Sequence, residues 1–498
     1  MGNWLCAEVE DEPIYTSEEV AASKFYEVDE IRDESFGDIK AECLRRNALF
    51  EDPLFQPAWE NISYSNEKPA FEVEWLRPWE ICRRNSSSTK RLVPRYYISG
   101  PSRFDLIQGH LGDCWLLAAA ASLADRPDLI SKVIPDHAHF VGGGGFGVGR
   151  LHDDYCGLFR FRFYHFGEWV EVCVDDRLPC RNGKLLMVRG EAPNEFWGAL
   201  LEKAYAKLHG SYEALKGGLS SDALTDLTGG CVERIELKSS GKTPNFTPNE
   251  LGKLLKRSLK RGAVVCAGIW DERGLNRVLQ NGLVTGHAYT ISEVERMRLR
   301  NGEHFYLARI RNPWGGRVEW NGRWSDHSVS WQYVVSSVAK ELNSRLAKDG
   351  DFWMDMDDFS DNFYDLDICN MTPPDSDPEA PLPADPRRRK SKWRVTVLNG
   401  EWKGRSAGGR MKYTDSFANN PQFEVTLQDS SDRDQAASCV VELSQKEKRV
   451  RGQLRFSVGF MFFPNSCRTV QPKTWKICID SNNVASWPRG GVRHQNLV

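Results

Sequence analysis

The sequence predicts an α+β protein in which a helical part, a strand-rich part and a C-terminal β-module follow one another. The second half of residues 108–122 is apolar on every face and rich in Leu and Ala, which is typical of a short helix buried on all sides. Segments 264–270, 286–294 and 305–311 are rich in β-branched and aromatic residues, which indicates strands. Residues 373–386 are rich in proline and predict an extended linker before the last module.

Composition narrows the class of protein. A length of 498 residues suggests about three domains. The net charge of −3 gives no reason to expect nucleic acid as a partner. The 13 Cys have no regular spacing, and neither a secretory signal nor a long apolar run is recognisable. We therefore expect reduced thiols in a cytoplasmic protein.

The N-terminal residues also allow a location at a membrane surface. Gly2 meets the requirement for N-myristoylation, and Cys6 offers a thiol for palmitoylation. Residue 6 is not the Ser or Thr that the myristoylation pattern prefers, and stable anchoring needs two acyl chains. Membrane association is therefore the alternative to an ordinary polar terminus.

The first half of the chain is predicted to be mainly helical. After an acidic N-terminal segment at 1–35, we assign residues 36–218 to a first domain, which ends in a glycine-rich turn. The glycine-rich residues 142–149 lack the Lys-Ser/Thr of a phosphate-binding loop and are interpreted as a surface insertion. The predicted elements are a helix at 38–50, an apolar docking segment at 75–82, a hairpin at 158–174 and a helix at 195–208.

The second half is predicted to be mainly β. Residues 219–373 form a second domain that carries the three strands and ends in an aromatic, acidic element. Residues 374–390 form the linker, whose basic run 387–390 is interpreted as a solvated linker end, with a contact to acidic lipid as the alternative. Short strands separated by turns predict an antiparallel β-sandwich at 391–498.

Cys114 lies where the start of a helix favours a nucleophilic sulfur. Gly109 and Gly112 loosen the backbone, and Asp113 is a good N-cap, which puts Cys114 at the first helical position. Unpaired amides and the helix dipole favour a thiolate there, so the sequence predicts a lowered pKa for Cys114. The alternative is a core residue, since free Cys is among the most buried residue types.

Nucleophilic catalysis by Cys also needs a base, a group that orients the base, and donors for the oxyanion. His287 lies on a predicted strand between small residues, and Asn312 ends the next strand, so adjacent strands would place them side by side. Gln108 could donate its amide to the oxyanion together with the Cys114 backbone N–H. Trp314 could cover the His–Asn hydrogen bond. A lone strand His is more often structural, so spacing alone leaves this set a hypothesis.

Several blocks of the sequence resemble the calpains, which are calcium-dependent papain-like cysteine proteases. The resemblance implies a two-lobed papain-like core with Cys114 as nucleophile, His287 as base and acid, Asn312 as orienting group and Gln108 in the oxyanion hole. Similar blocks run in order from about residue 49 to 373. They include Gln108-Gly, Gly112-Asp-Cys-Trp-Leu-Leu-Ala118, Gly286-His-Ala-Tyr289, Arg311-Asn-Pro-Trp-Gly315, Leu49-Phe-Glu-Asp-Pro53, Glu195-Phe-Trp197 and Ile368-Cys-Asn370.

The resemblance also implies two calcium ions in the protease core, whose binding brings the two lobes together and completes the triad. Spacing alone does not reveal these sites, because no EF-hand pattern is present. In the first set, Asp105 and Glu195 match carboxylate ligands, and Ile98 and Gly100 match carbonyl donors. Asp351 of the second set stands where the family usually has Glu. The positions of the second set are Glu319, Asp326, Ala347, Asp349 and Asp351.

The C-terminal module resembles the calpain β-sandwich, a calcium and phospholipid-type module. Its usual acidic loop is thin here, with Asp429, Asp432 and Asp434, and the similarity fades after Gly459. We therefore expect a shortened sandwich, with phospholipid contact as a secondary role. No penta-EF-hand pattern follows, so the sequence predicts an atypical calpain without a small regulatory subunit.

The resulting hypothesis is a calcium-activated intracellular cysteine endopeptidase that makes limited cuts in protein substrates. One alternative is a catalytically weak, calcium-responsive scaffold, because a shortened sandwich could leave the core unstable. A second alternative is a transglutaminase-like acyl transferase, which also uses Cys and His. Asn312, followed by Pro-Trp-Gly, argues against the second alternative, because such enzymes normally use Asp as the third group.

Overall fold

A computed structural model describes most of the first three quarters of the chain. Residues 1–35, 142–149, 374–390 and 429–434 lie outside the described residues, so the acylation pattern, the glycine-rich insertion, the linker and the acidic loop stay predictions. The described residues are 36–63, 65, 71–87, 89–135, 155–237, 246–270, 277–315, 318–326, 328–334, 350–371, 396, 398–409, 413–427, 441, 443, 458–464 and 473–481.

Helices dominate the first part of the described chain. The predicted helix at 38–50 ends earlier, at Arg46, because Asn47 adopts a left-handed conformation with a φ of 51°. None of the described helices is long and apolar enough to cross a membrane. The helices are α1 (Phe36–Arg46), α2 (Pro78–Asn85), α3 (Cys114–Ala124), α4 (Pro127–Val133), α5 (Trp197–His209), α6 (Ser220–Thr228), α7 (Pro248–Lys260), α8 (Met356–Asn362) and α9 (Thr414–Phe417).

The strands of the described residues form four antiparallel sheets. Their orders are β2-β3, β1-β4-β5, β10-β9-β8-β7-β11-β6 and β12-β14-β13, so the largest has six strands and the C-terminal one three. The strands are β1 (Glu74–Leu76), β2 (Leu158–His165), β3 (Glu168–Asp175), β4 (Leu178–Arg181), β5 (Lys184–Leu185), β6 (Cys231–Glu236), β7 (Val264–Ile269), β8 (His287–Arg298), β9 (His304–Arg311), β10 (Asp351–Asp355), β11 (Asp365–Asn370), β12 (Gln422–Leu427), β13 (Val458–Pro464) and β14 (Lys473–Ser481).

Helix α3 lies at the centre of the first hydrophobic core. Every residue of the helix except Ser122 is buried, as the apolar sequence predicts. The surrounding core includes Trp115, Phe161 and Trp197, each at most 2% exposed. A helix that is apolar all round needs partners on every side, and α3 packs against α4, α6 and the six-stranded sheet.

The six-stranded sheet is covered on both faces because side chains alternate along each strand. Cys266 and Ala288 belong to the core around α3. Their neighbours Val265, Tyr289 and Ile291 belong to a second core, which includes residues of α7 and α8. Strand β8 therefore lies between two cores and holds residues of the candidate site against α3.

Buried ion pairs attach α5 to the first half of the chain. Lys207 Nζ lies 2.8 Å from an oxygen of Asp52, and Lys203 Nζ lies 2.6 Å from Asp175 Oδ1. The Asp52 backbone N–H donates to Asp175 Oδ2 at 2.8 Å, which joins the two pairs. All four side chains are at most 5% exposed, so each charge depends on its partner for compensation.

We expect Lys207→Met to destabilise the protein strongly, because the substitution leaves the buried Asp52 carboxylate without its cation. The expected cost is about 3–5 kcal/mol, which is typical of breaking one side of a buried ion pair. Denaturant unfolding followed by tryptophan fluorescence measures the effect. Lys253→Met, at an exposed position of α7, is the control. Equal unfolding midpoints for the two variants would contradict the assignment.

Candidate active site

The loop before α3 brings Cys114 to the helix start. A Cβ on Gly109 would lie 2.1 Å from the Met187 carbonyl oxygen, so the close approach of these chain segments requires glycine there. Asp113 is the N-cap, and Cys114 is the first helical residue, as predicted. The Asp113 carboxylate makes no capping hydrogen bond to the helix. The main-chain carbonyl of Asp113 accepts a hydrogen bond from Leu116 N at 2.9 Å.

The environment of Cys114 raises the pKa of its thiol to about 11, because burial disfavours the thiolate. The predicted lowering of this pKa is therefore wrong for the free protein. The backbone N–H of Ala288 on β8 lies near the Cys114 sulfur and opposes the shift, but the loss of solvent outweighs its effect. The thiolate needs a positively charged partner to form at neutral pH.

His287 and Asn312 lie beside each other because β8 pairs with β9. The register places Thr290 opposite Arg311, so the start of β8 meets the residue after β9. His287 Nε2 lies 2.8 Å from Asn312 Oδ1. Since an amide oxygen only accepts, Nε2 carries the proton and Nδ1 is left as a base. Within the described residues, the buried Nδ1 has no hydrogen-bond partner.

Burial also sets the charge of the imidazole. His287 is 3% exposed, and burial lowers its pKa to about 4, while the bond to Asn312 acts in the opposite direction. The imidazole is therefore neutral at neutral pH in the free protein. Asn312 is held in turn, because its Nδ2 donates to Val318 O at 3.1 Å and its Oδ1 accepts from Trp314 N at 2.9 Å.

Trp314 and Gln108 connect the loop after β9 to the loop before α3. The Trp314 indole N–H donates to Gln108 Oε1 at 2.6 Å, and its ring centroid lies 5.0 Å from that of His287. Gln108 Nε2 donates one hydrogen to Leu111 O at 2.7 Å, which leaves the second for another acceptor. The structure thus connects four of the predicted residues by direct contacts, namely His287, Asn312, Trp314 and Gln108. Cys114 lies near Ala288, the residue after His287.

A buried acid pair beneath Cys114 was not predicted from the sequence. Asp113 and Glu202 are at most 1% exposed and lie close enough to each other for a shared proton to join them. Glu202 Oε2 also accepts from Val188 N at 2.9 Å. Burial raises the pKa of both carboxyls, so the pair holds at least one proton near neutral pH. An acidic residue among the apolar positions of the predicted helix at 195–208 was the available signal.

The first predicted calcium set is a pair of buried carboxylates in contact. Asp105 and Glu195 are 7% and 5% exposed and lie close to each other, and their proximity raises the pKa of Glu195 further above the value that burial sets. Asp105 Oδ2 accepts from Trp197 Nε1 at 2.9 Å, and Glu195 Oε1 accepts from Ile98 N at 2.8 Å. The other oxygen of each carboxylate receives neither bond. Carboxylate oxygens are ligands that calcium prefers, so this pair agrees in chemical type with the first predicted set.

The second set is described in part, since Ala347 and Asp349 lie outside the described residues. Glu319 Oε1 accepts from Gly350 N at 2.8 Å, beside the position of Asp349. Asp326 lies seven residues further on, within the same described stretch as Glu319. Within the described part of the chain, no group of three or more His, Cys, Asp or Glu side chains could hold a metal.

Asp351, the remaining predicted residue of the second set, lies among arginine side chains. Its carboxylate binds three guanidinium groups, with Arg103 at 2.8 Å, Arg309 at 3.0 Å and Arg311 at 3.1 Å. The pairing of β10 with β9 places Arg311 directly opposite, so the contact follows from the sheet register. In this arrangement Asp351 does not offer a free carboxylate to a calcium ion. Sequence spacing could not reveal these partners, because they come from separate segments.

We expect Glu202→Gln to stabilise the protein at alkaline pH. The raised pKa values mean that the buried pair favours folding while protonated and loses this contribution as the pH rises through the folded-state pKa values. Gln stays neutral and can donate to Asp113. The unfolding midpoint should exceed that of the natural protein by a few degrees at pH 8, about 2–4 °C, and the gap should shrink at pH 5.

Glu191→Gln, at an exposed position, is the control and should leave the midpoint unchanged at both pH values. A Glu202→Gln midpoint below that of the natural protein at pH 8 would contradict the proton-sharing assignment. Differential scanning calorimetry provides the measurement.

Comparison with known proteins is consistent with this geometry. Residues 50–370 match the calpain family of cysteine proteases, and residues 398–486 match domain III of the calpain large subunit. The chain is 41% identical to calpain clp-1 of Caenorhabditis elegans over 420 residues and 38% identical to human calpain-9 over 419 residues. These alignments cover 84% of this chain and 50% and 55% of the relatives.

Calpain-A of Drosophila melanogaster is 38% identical over 441 residues, which is 86% of this chain and 49% of the relative. The chain thus spans about half the length of the curated relatives it matches. The family match covers well over half of the chain and includes every candidate active-site residue. This chain belongs to the calpain family of cysteine proteases.

Proposed function

We propose that this chain is a calcium-activated cysteine endopeptidase that makes limited cuts in protein substrates. The observation that carries the proposal is the bond between His287 Nε2 and Asn312 Oδ1, which leaves Nδ1 as a buried, neutral base near the start of α3. Family membership supports the same reaction class.

The proposed reaction begins with proton transfer from Cys114 Sγ to His287 Nδ1. The thiolate attacks the scissile carbonyl carbon, and the oxyanion accepts hydrogen bonds from the Cys114 backbone N–H and the free hydrogen of Gln108 Nε2. His287 then returns the proton to the leaving amine, and a thioester remains. Water attacks the thioester with His287 as base, which releases the acid product and regenerates the thiol.

The opposing pKa shifts of the two groups support a mutual ion pair. Burial raises the pKa of Cys114 to about 11 and lowers that of His287 to about 4, so neither group ionises alone at neutral pH. Thiolate and imidazolium stabilise each other when they are formed together in a site of low dielectric. Asn312 adds to this stabilisation, since its carbonyl accepts the imidazolium N–H.

We also propose a two-lobed papain-like core and a C-terminal β-sandwich. The hydrophobic core around α3 and the second core beneath the six-stranded sheet support two lobes, with residues 36–218 and 219–373 as their predicted bounds. The C-terminal domain match and the three-stranded antiparallel sheet support the sandwich. Phospholipid contact through this module is part of the proposal.

Calcium is the proposed activator. Asp105 and Glu195, with the carbonyls of Ile98 and Gly100, would hold one ion. Glu319 and Asp326 would contribute to a second, with Ala347 and Asp349 of the predicted set. When bound, the ion supplies positive charge that offsets facing carboxylates and orders the loops that carry them.

Peptidase activity should depend on both calcium and Cys114. Cleavage of a fluorogenic peptide should appear when millimolar calcium is added and should disappear with excess chelator. Millimolar calcium is chosen because the weakest protein calcium sites have dissociation constants of about 10⁻³ M. Cys114→Ser should lose at least about a thousandfold in activity, because serine is a much weaker nucleophile beside a neutral imidazole. Cys43→Ser is the control, since this thiol lies on α1, which carries none of the candidate active-site residues.

Activity that survives in Cys114→Ser, or that is undiminished in chelator, would contradict this proposal. An amine-incorporation assay run in parallel tests the acyl-transferase alternative. Calcium-induced stabilisation without any cleavage by the natural protein would favour the scaffold alternative.

The first calcium set can be tested without measuring activity. Calcium should raise the thermal unfolding midpoint of the natural protein, because the ion binds the folded state. Asp105→Asn and Glu195→Gln should each reduce this increase, since each removes a carboxylate from the proposed set. Asp128→Asn is the matched control, because its carboxylate pairs with Arg126 on the surface. An unchanged calcium-induced shift in both variants would exclude the set as a calcium site.

A further inference from the structure

The hydroxyl of Thr290 joins the strand of the catalytic base to the helix of the nucleophile. Thr290 Oγ1 donates to the main-chain carbonyl of Ala118 at 2.6 Å, and the two residues are 1% and 0% exposed. Thr290 lies on β8, three residues after His287. Ala118 lies on α3, four residues after Cys114. The bond therefore links the two chemically active elements at a point near both reacting groups.

A second contact runs parallel to the first. The Ala288 backbone N–H lies near the Cys114 sulfur, one helical turn before Ala118 and two strand residues before Thr290. Four helical residues advance about 6 Å, and two strand residues advance about 6.8 Å. Because the two spacings nearly match, both contacts form together when β8 lies along α3 in a single register.

We propose that Thr290 is a positioning residue that fixes β8 on α3 in the register that presents His287 to Cys114. This inference rests on the proposed peptidase function and adds a residue outside the Cys-His-Asn triad. Thr290 touches no reacting atom, and it acts through the placement of the strand.

The chemistry of the contact favours a role in placement over a role in stability. Ala118 is inside α3, so its carbonyl also accepts the helical N–H four residues later, and it does not need the Thr290 hydroxyl. The hydroxyl is the group that needs its partner, since a buried unpaired donor is costly. The β-branched side chain of threonine has few accessible χ1 rotamers, so its hydroxyl can bond to the Ala118 carbonyl only when the strand lies at a particular position along the helix.

Among the described residues of β7 and β8, Thr290 alone donates a side-chain hydrogen bond to α3. Thr290 pairs across the sheet with Cys266 of β7 and Arg311 of β9 through the backbone. Ala288 and Cys266 face the same core without a hydroxyl. Removal of the Thr290 hydroxyl should therefore loosen the register without leaving a buried carbonyl unpaired.

The test compares Thr290→Val, which keeps the shape and removes the donor, with Thr290→Ser, which keeps the donor. At saturating calcium, we expect Thr290→Val to lose about tenfold in kcat/KM, mainly through kcat, because small displacements of reacting groups are costly. Thr290→Ser should stay within about twofold of the natural protein. Ser292→Ala removes an exposed hydroxyl from the same strand and is the matched control.

The pH dependence of Cys114 alkylation gives a readout that a purely structural role would not change. Iodoacetamide reacts with the thiolate, with formation of a carbon–sulfur bond and release of iodide. Loss of alignment with His287 should shift the rising limb of the rate profile in Thr290→Val to higher pH by about one unit. The unfolding midpoint should change by less than about 4 °C.

Each outcome decides the inference. Thr290→Val with natural kcat/KM and an unshifted alkylation profile overturns it, and so does an equal loss in Thr290→Ser. If Thr290→Val does not fold, Thr290→Ala replaces it and must show the same loss and shift. A natural protein that never cleaves peptide refutes the proposed function instead, and the alkylation profile still tests the register.

Discussion

The antiparallel pairing of β8 with β9 is the constraint on which the candidate site depends. It places the start of one strand beside the end of the other, so His287 and Asn312 meet through ordinary sheet geometry. The pairing of β9 with β10 then sets Arg311 opposite Asp351. Loops bring Trp314 and Gln108 to the same site. The sheet fixes the distance between His287 Nε2 and Asn312 Oδ1, and this hydrogen bond sets the tautomer of the imidazole.

Burial has two opposite effects in this site. It removes water that would compete for the hydrogen bonds of the imidazole, and it disfavours the charge that catalysis needs. The shifts of Cys114 and His287 express this second effect. Burial thus favours the neutral form of each of these two groups at neutral pH.

Much of the fold could be predicted from local sequence patterns. The fully apolar stretch around Cys114 indicated a buried helix, and β-branched runs indicated β7, β8 and β9. The roles of His287 and Asn312 depended on resemblance, because no local pattern tells a catalytic His from a structural one. The pKa of Cys114 was wrongly predicted because a helix start is visible in sequence, whereas the depth of burial depends on distant segments. The guanidinium groups around Asp351 and the carboxyl pair beneath Cys114 belong to the same class of long-range information.

The position of β8 between two cores has a consequence for how this chain can change in evolution. Alternate residues of the strand face α3 and the second core. A substitution at a residue of one set therefore changes the packing of one core and leaves the other core in place. A change of length is different. Insertion or deletion of one residue near the start of β8 would exchange the two faces and present core side chains to the nucleophile. We therefore expect substitutions outside His287 and Thr290 to be tolerated better in this short stretch than insertions or deletions.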